Sequence, residues 1–434
     1  MSWCKPSPFE IDPHLLNVGF YSSRMRDYVL KRLLLIPLTF FGITLVAFLM
    51  TRLVPGGPIE RAMAEKIQAQ QKMAGKVGLS ANGPASPEEL DNLKRQYGFD
   101  RPALEAYGIW LGILRGQNNW ASTRLDTQGR AEIEVMSYDS TSTQKIIVQK
   151  NAQGEFTLKT KEPLEIGQWK VEAAPLANDT DKGLRVIVYQ SQFNGILQGN
   201  FGYSTESDKP VIDLILQKLP LSMWFGFWGM IIAYFVAVPL GISKAIRHGT
   251  LFDSASSVLI FFGFAIPGFV LALSGLYLFC FHFTLLPHSG FNWNEPIRST
   301  ILPLACESAG AFAAMTMFMK NSLLDNLSAD YMRTAKAKGV SSRRALYVHA
   351  LRNSIIPLAA SFGQNLGFFL TGSFLIEYTF DIDGIGLLSY DALVHRDFPV
   401  FLGLLTISSI VLLIGNILSD LCVAAVDPRI RFQK

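Results

Sequence analysis

The sequence is short of charge, of paired cysteines and of every common catalytic signature. Asp, Glu, Lys and Arg make up 17% of the 434 residues, against about a quarter in an ordinary soluble domain. So little charge excludes a disordered, highly solvated chain. The net charge is only +4 and no long basic run occurs, which argues against nucleic acid as a partner. The four cysteines, Cys4, Cys280, Cys306 and Cys422, have no metal-ligand spacing and suggest no disulfide framework. They read as small apolar packing residues. There is no G-x-x-x-x-G-K-[ST] loop, no H-E-x-x-H and no G-x-S-x-G. No device for hydrolysing ATP, and no catalytic constellation, is therefore expected. Gly384-Ile385-Gly386 has the start of a dinucleotide fingerprint, but not at a strand-to-helix junction. No cofactor and no metal are expected.

What the chain has is apolar length. The mean hydropathy is +0.25 and 31 residues are Phe. A bilayer crossing needs about 20 apolar residues. Six stretches qualify, at 30–52, 219–243, 257–285, 300–319, 355–376 and 400–425. Pro37, Pro239 and Pro267 fall inside them, which transmembrane helices tolerate. The first stretch lacks a small-residue cleavage site and reads as a retained helix. With the N-terminus inside, the cytoplasmic segments 1–32, 244–256, 320–354 and 426–434 hold 17 Lys and Arg, while the external loops 286–299 and 377–399 hold two. Both termini are therefore expected in the cytoplasm.

The expected organisation is a tail over 1–29, a first transmembrane helix over 30–54, and an external segment over 55–218. A five-helix core over 219–425, with the cytoplasmic loop 320–354, and a tail over 426–434 complete it. Within the external segment, 58–79 and 86–116 look helical, and 118–192 alternates with period two between turn signals. The runs Ala131–Val135, Lys145–Gln149, Phe156–Thr160, Trp169–Glu172 and Leu184–Tyr189 predict a small antiparallel β-domain of about five strands, with Trp120 and Trp169 as anchors. The fold class expected is an all-α polytopic membrane protein with this β-rich insert.

Loop 320–354 is the most informative stretch. It carries seven basic against two acidic residues and predicts two short helices broken at Gly339, with Ser341 or Ser342 capping the second. Its composition fits a solvated loop or a docking surface.

The loop resembles the coupling loop of bacterial ABC importer permeases in its dipeptide and oligopeptide form. Thr334, Ala335, Ala337, Lys338 and Gly339 match T-A-[RK]-A-K-G, and His349, Arg352, Asn353 and Pro357 match the block that follows. Arg333 stands where the general motif has Glu. Four further blocks agree in order. They are Tyr97–Pro102, Gly199–Ser204, Glu377–Val400 and Ser419–Ile430. The tail and the Ala265–Phe269 block look most similar to the Yej-type permeases, of systems importing peptides and the peptide-nucleotide antibiotic microcin C. The resemblance implies an ABC importer type I permease fold and a bacterial inner-membrane location. It implies half of a transmembrane pathway for peptides or peptide-like solutes, completed by a second permease subunit as a heterodimer. Two ATP-binding subunits and an external solute-binding protein are its implied partners, besides membrane lipid. Arg333, Thr334, Ala335, Lys336, Ala337, Lys338, Gly339, His349, Arg352 and Asn353 are the implied ATPase-coupling residues. In one place the chain departs from the family pattern, because about 75 residues lie between Leu114-Arg115-Gly116 and the Gly199 block. That insert reads either as a platform that contacts or partly replaces a binding protein, or as a tolerated insertion at a loop tip.

Glu307, about seven residues into the fourth stretch among small neighbours, is the candidate pathway residue. The other reading pairs it with a neighbouring helix. His282 and Asp420 read as interfacial and locally bonded, and Trp224, Trp228 and Trp293 as an aromatic belt. An alternative for the whole chain is a secondary transporter or channel subunit with an external β-domain. It would call for coupling charges and an inverted repeat, which the sequence does not show apart from Glu307.

Overall fold

The computed structural model describes residues 18–53, 57, 63, 87–96, 98–126, 128–136, 143–151, 155–160, 169–174 and 185–426. The helix expected at 58–79, the turn at 179–183, Tyr97 and the terminal tails 1–17 and 427–434 lie outside the described residues. The chain divides into two compact units, one of 1–44, 215–391 and 404–434, the other of 45–214 and 392–403.

The second unit carries the β-structure. Helices α2 (Pro87–Gln96) and α3 (Ala103–Leu111) precede six strands, β1 (Gly116–Arg124), β2 (Arg130–Met136), β3 (Thr143–Lys150), β4 (Phe156–Thr160), β5 (Trp169–Ala174) and β6 (Arg185–Gln192). They form two antiparallel three-stranded sheets, β1-β6-β5 and β2-β3-β4. In β2, Ala131 and Ile133 are buried while Glu132 and Glu134 are exposed, the period-two pattern of a strand with one covered face. Ile133, Ile146, Val148, Trp169, Val186 and Val188 form one core. Trp169 is an anchor as expected, and Trp120 is only half-buried. Strand β1 was not foreseen. Its Gln-Asn-Asn start is polar, and a bulge between Asn118 and Ala121 breaks its alternation. The insert leaves and returns through this pair, Gly116 opposite Gln192, so its two ends are adjacent. Arg185 ties α2 to the sheet through Asp91 Oδ2 at 2.9 Å and Asn92 Oδ1.

The first unit is helical. Helix α1 (Val18–Leu53) begins in it. Helix α4 (Val211–Ile231) runs through a π-helical turn at Ile232–Ala237 into α5 (Val238–Ile246). Helices α6 (Leu251–Ala265), α7 (Gly268–Gly275), α8 (Pro296–Ser328), α9 (Asp330–Ala337) and the single turn α10 (Ser342–Arg344) follow. Then come a π-helical stretch at Ala345–Ala350 and helices α11 (Leu351–Thr371), α12 (Phe374–Phe380), α13 (Ile385–Val394) and α14 (Phe398–Val426). Among the described residues four helical stretches are long and apolar enough to cross a bilayer, at Leu34–Leu53, Val211–Ile246, Pro296–Ser328 and Phe398–Val426. The stretch expected as one span at 257–285 is instead two segments bent by 98°. Ile266 precedes a proline and sits at φ −91°, ψ 122°, because the Pro267 ring excludes a helical conformation there. Counted as one, the bent pair makes a fifth candidate.

Candidate functional site

The segment 320–354 grows out of α8 and turns back into α11. Helix α8 ends where Ala329 takes up extended angles, φ −66° and ψ 150°. Helix α9 then carries the T-A-K-A-K-G block to its own end. Gly339 lies at φ +82°, its N–H donates to the Lys336 carbonyl at 3.0 Å, and the Val340 N–H donates to the Ala335 carbonyl at 3.2 Å. Those two bonds are a complete Schellman cap, which needs a residue free to adopt the left-handed region. The glycine of the motif is thus the stop of the helix. Ser341 takes the N-cap position of α10 as expected, yet its side chain makes no capping bond.

The helix has an inner and an outer side. Met332 is 2% exposed and joins a cluster with Met319, Leu323, Ala345, Ala350 and Leu358. Tyr331, Arg333, Thr334, Lys336, Ala337 and Lys338 are exposed, and Ala335 is half-buried. The Arg333 guanidinium lies 3.6 Å from Asp330. His349 and Asn353 are half-buried, whereas Arg352 is exposed and donates to the Val426 carbonyl at 3.0 Å. The second half of the loop motif is thereby tied to the end of α14. A serine pair closes the base, Ser322 Oγ donating to the Ser354 carbonyl at 3.1 Å and Ser354 Oγ to the Ser322 carbonyl at 3.3 Å.

The other motif blocks also meet partners. The Arg52 guanidinium donates to the Gly98 and Arg101 carbonyls and lies over the Phe99 ring, so the Gly98-Phe99-Asp100 block clasps the end of α1. Ser204 bonds Asp397, joining the Gly199 block to the Asp397-Phe398-Pro399 block. Phe48, Arg52, Phe99, Asn118, Asn200 and Phe398 line part of a cavity of about 340 Å³ among them. Glu377 is 7% exposed and its carboxylate accepts the Leu387 N–H at 2.6 Å and the Gly386 N–H, at the start of α13. A Cβ on Gly384 would stand 2.7 Å from that carboxyl. Burial pushes Glu377 up to about 7, with Asp383 adding to the shift and the two backbone N–H groups opposing it.

Glu307 is half-buried on α8, flanked by buried Cys306 and Ser308, and it feels the charge of Glu377. Trp224, Trp228 and Trp293 form one group, with the Trp224 ring 5.9 Å and 6.1 Å from the other two. Sequence reasoning missed a buried ionic cluster made by Lys244, Asp253 and Lys320. Along the sequence both lysines read only as loop charge. The usable signal was Thr250-x-x-Asp253, a capping pattern. Thr250 is the N-cap of α6 and accepts the Asp253 N–H at 3.5 Å.

The chain is similar to several known proteins. Residues 237–432 match the family described as binding-protein-dependent transport system inner membrane component. The chain is 31% identical to a peptidoglycan transport system permease protein YejB of Agrobacterium fabrum, over 94% of this chain and 99% of that one. It is 30% identical to the inner membrane ABC transporter permease protein YejB of Escherichia coli O157:H7, over 94% and 100%. It is 28% identical to a dipeptide transport system permease protein DppB of Lactococcus lactis, over 94% and 100%. A chain from an inward-facing structure of the MetNI methionine ABC transporter aligns with a TM-score of 0.40 at 14% identity, over 50% of this chain and 97% of that one. Identity above three-tenths along nearly the whole chain, with the matched motifs built into caps and inter-helix bonds, places this protein in the family of binding-protein-dependent transport system inner membrane components.

Proposed function

We propose that the chain forms half of the transmembrane pathway of an importer for peptides or peptide-like solutes. It pairs with a second permease subunit, receives solute from an external binding protein, and couples to two separate ATP-binding subunits through 320–354. The observation that carries this reading is helix α9, anchored by Met332 and closed by the Gly339 cap, with Arg333, Lys336 and Lys338 left on its open side. A short helix held from behind and basic in front suits a cleft with acidic rims. Movement of the ATP-binding subunits would reach α8 and α11 through it, as a rigid-body change between two states.

In the same reading α11 supplies the sixth span beside the five candidates. Both termini and 320–354 face the cytoplasm, because the short segments on that side hold the excess of Lys and Arg. The segment 55–218, with the β-rich insert, faces outward. Glu307 lines the solute path, where a half-buried carboxylate among small residues suits a peptide amine. Peptide as the solute class is supported by the similarity to a dipeptide transport system permease at 28% identity.

The test is reconstitution in liposomes with the partner permease and ATP-binding subunits, measuring ATP hydrolysis and peptide uptake. Wild type should couple the two. Gly339→Pro cannot adopt the positive φ and should assemble without coupling. Uptake by the chain with no ATP-binding subunit present would replace this reading with a channel or secondary carrier.

A further inference from the structure

A buried ionic cluster lies on the proposed cytoplasmic side. Asp253, 4% exposed, opens α6. Lys244, fully buried on α5, places Nζ 3.1 Å from Asp253 Oδ1 and donates to the Asp253 carbonyl, Ser256 Oγ and Ser257 Oγ at 2.7–2.8 Å. Lys320, 7% exposed on α8, donates to both Asp253 carboxylate oxygens at 2.7 and 2.9 Å. His248 Nδ1 lies 3.1 Å from Oδ2, and the Gly249 N–H donates to the same oxygen. One carboxylate thus gathers α5, the 248–250 turn, α6 and α8.

The surroundings make this a stiff joint. Beside it, α5 touches α8 so closely that a Cβ on Gly241 would stand 2.6 Å from the Thr316 carbonyl oxygen. Lys320 lies on the last turns of α8, about 13 Å before the Ala329 break into α9. A displacement of α9 must therefore pass Lys320 before it reaches the membrane part of α8.

We infer that Asp253 and Lys320 are positioning residues that carry motion of the coupling helix from α8 to the α5–α6 pair. The inference rests on 320–354 being the coupling segment. Charge makes the two partners unequal. Removing Asp253 leaves two buried ammonium groups facing each other, whereas removing Lys320 leaves the neutral Lys244–Asp253 pair intact. Lys320→Met is therefore the cleaner variant, because it severs α8 from the joint and strands no charge.

The experiment uses the full complex in liposomes and reads peptide uptake per ATP hydrolysed, with thermal stability alongside. Lys320→Met should assemble and hydrolyse ATP but lose about tenfold in that ratio, a typical size for a coupling between sites. Lys320→Arg should restore it. Lys320→Gln, which is neutral and too short to reach the Asp253 carboxylate as the ammonium does, is the substitute if the Met variant does not assemble, and should lose coupling likewise. A wild-type ratio in Lys320→Met or Lys320→Gln, together with a failed Gly339→Pro, overturns the joint and leaves the coupling segment standing. A wild-type ratio in Gly339→Pro overturns the coupling segment itself, and this inference with it. Loss of stability and yield with an unchanged ratio in the assembled fraction shows an architectural cluster only, and also overturns the inference.

Discussion

Ser204 donates a hydrogen bond of 2.5 Å from Oγ to Asp397 Oδ2 across 193 residues of sequence, with both residues 3% exposed. The same carboxylate accepts the Thr205 N–H at 3.3 Å and, on its own helix, the Val400 N–H at 3.4 Å. Ser204 Oγ in turn accepts the N–H groups of Glu206 and Ser207. Two motif blocks far apart in the sequence are the two sides of one latch. Asp397 is at once the cap of α14 and the acceptor that holds the 199–207 turn in place.

Asp397→Ala removes a charge-assisted bond together with the cap, and should lower the unfolding free energy by about 2–3 kcal/mol. Ser204→Ala should cost about 1–2 kcal/mol. The double variant should cost less than the sum of the singles, since each loses the same bond. Thermal unfolding of the purified complex checks all three.

Gly339→Ala separates backbone conformation from packing. No atom lies within 4 Å of where its Cβ would sit, so the only penalty is the left-handed φ, about 1–2 kcal/mol. The variant should remain assembled and retain partial coupling, while Gly339→Pro loses it. The uptake-to-hydrolysis ratio ranks wild type, Ala and Pro in that order.

Gly363→Ala should be among the most damaging small substitutions in the chain. A Cβ there would overlap the Gly415 backbone, where α11 crosses α14, and the Gly363 N–H donates to Ser419 Oγ at 2.6 Å. Neither helix can yield without breaking that crossing, so a loss of about 3 kcal/mol is expected. The measurement is the melting temperature, and failure to accumulate in the membrane is the extreme form of the same result.

Glu377 gives a pH signature. Burial raises its carboxyl from an ordinary 4.5 to about 7, so between those values the folded state binds more proton than the unfolded one. Its contribution to stability is complete below 4.5, falls as pH rises through 7, and stays lost above. Glu377→Gln keeps an oxygen for the Leu387 N–H but cannot titrate. Its melting temperature should vary less with pH across that window than that of wild type.

Much of this protein could be read without coordinates. Four of the six apolar stretches, the Gly339 break and the strands with clean alternation, such as 131–135 and 145–149, are local patterns, and the structure follows them. Strand β1 escaped because its polar start and its bulge erase the period-two signal. The bend after Ala265 escaped because Pro267 inside an apolar run reads equally as a tolerated kink and as a break. The structure takes the break, with Ile266 held extended ahead of the Pro267 ring.

The coupling block was legible as a motif, and its cap supplies the reason, since a helix stop is built from neighbouring residues. Glu377, Gly384 and Gly386 were legible in the same way, but that the glycines make room for the carboxylate needed the fold of the chain between them.

The sequence by itself determined the class of the molecule, its helical stretches and its family, because hydropathy, periodicity and turn chemistry act over a few neighbouring residues. Tertiary structure alone decided which distant groups meet. Lys244 and Lys320, two unremarkable loop charges in the sequence, share Asp253 in a buried cluster only because α5, α6 and α8 come together there. A charge taken out of water must find its partner in space, and no spacing along the chain records where that partner will be.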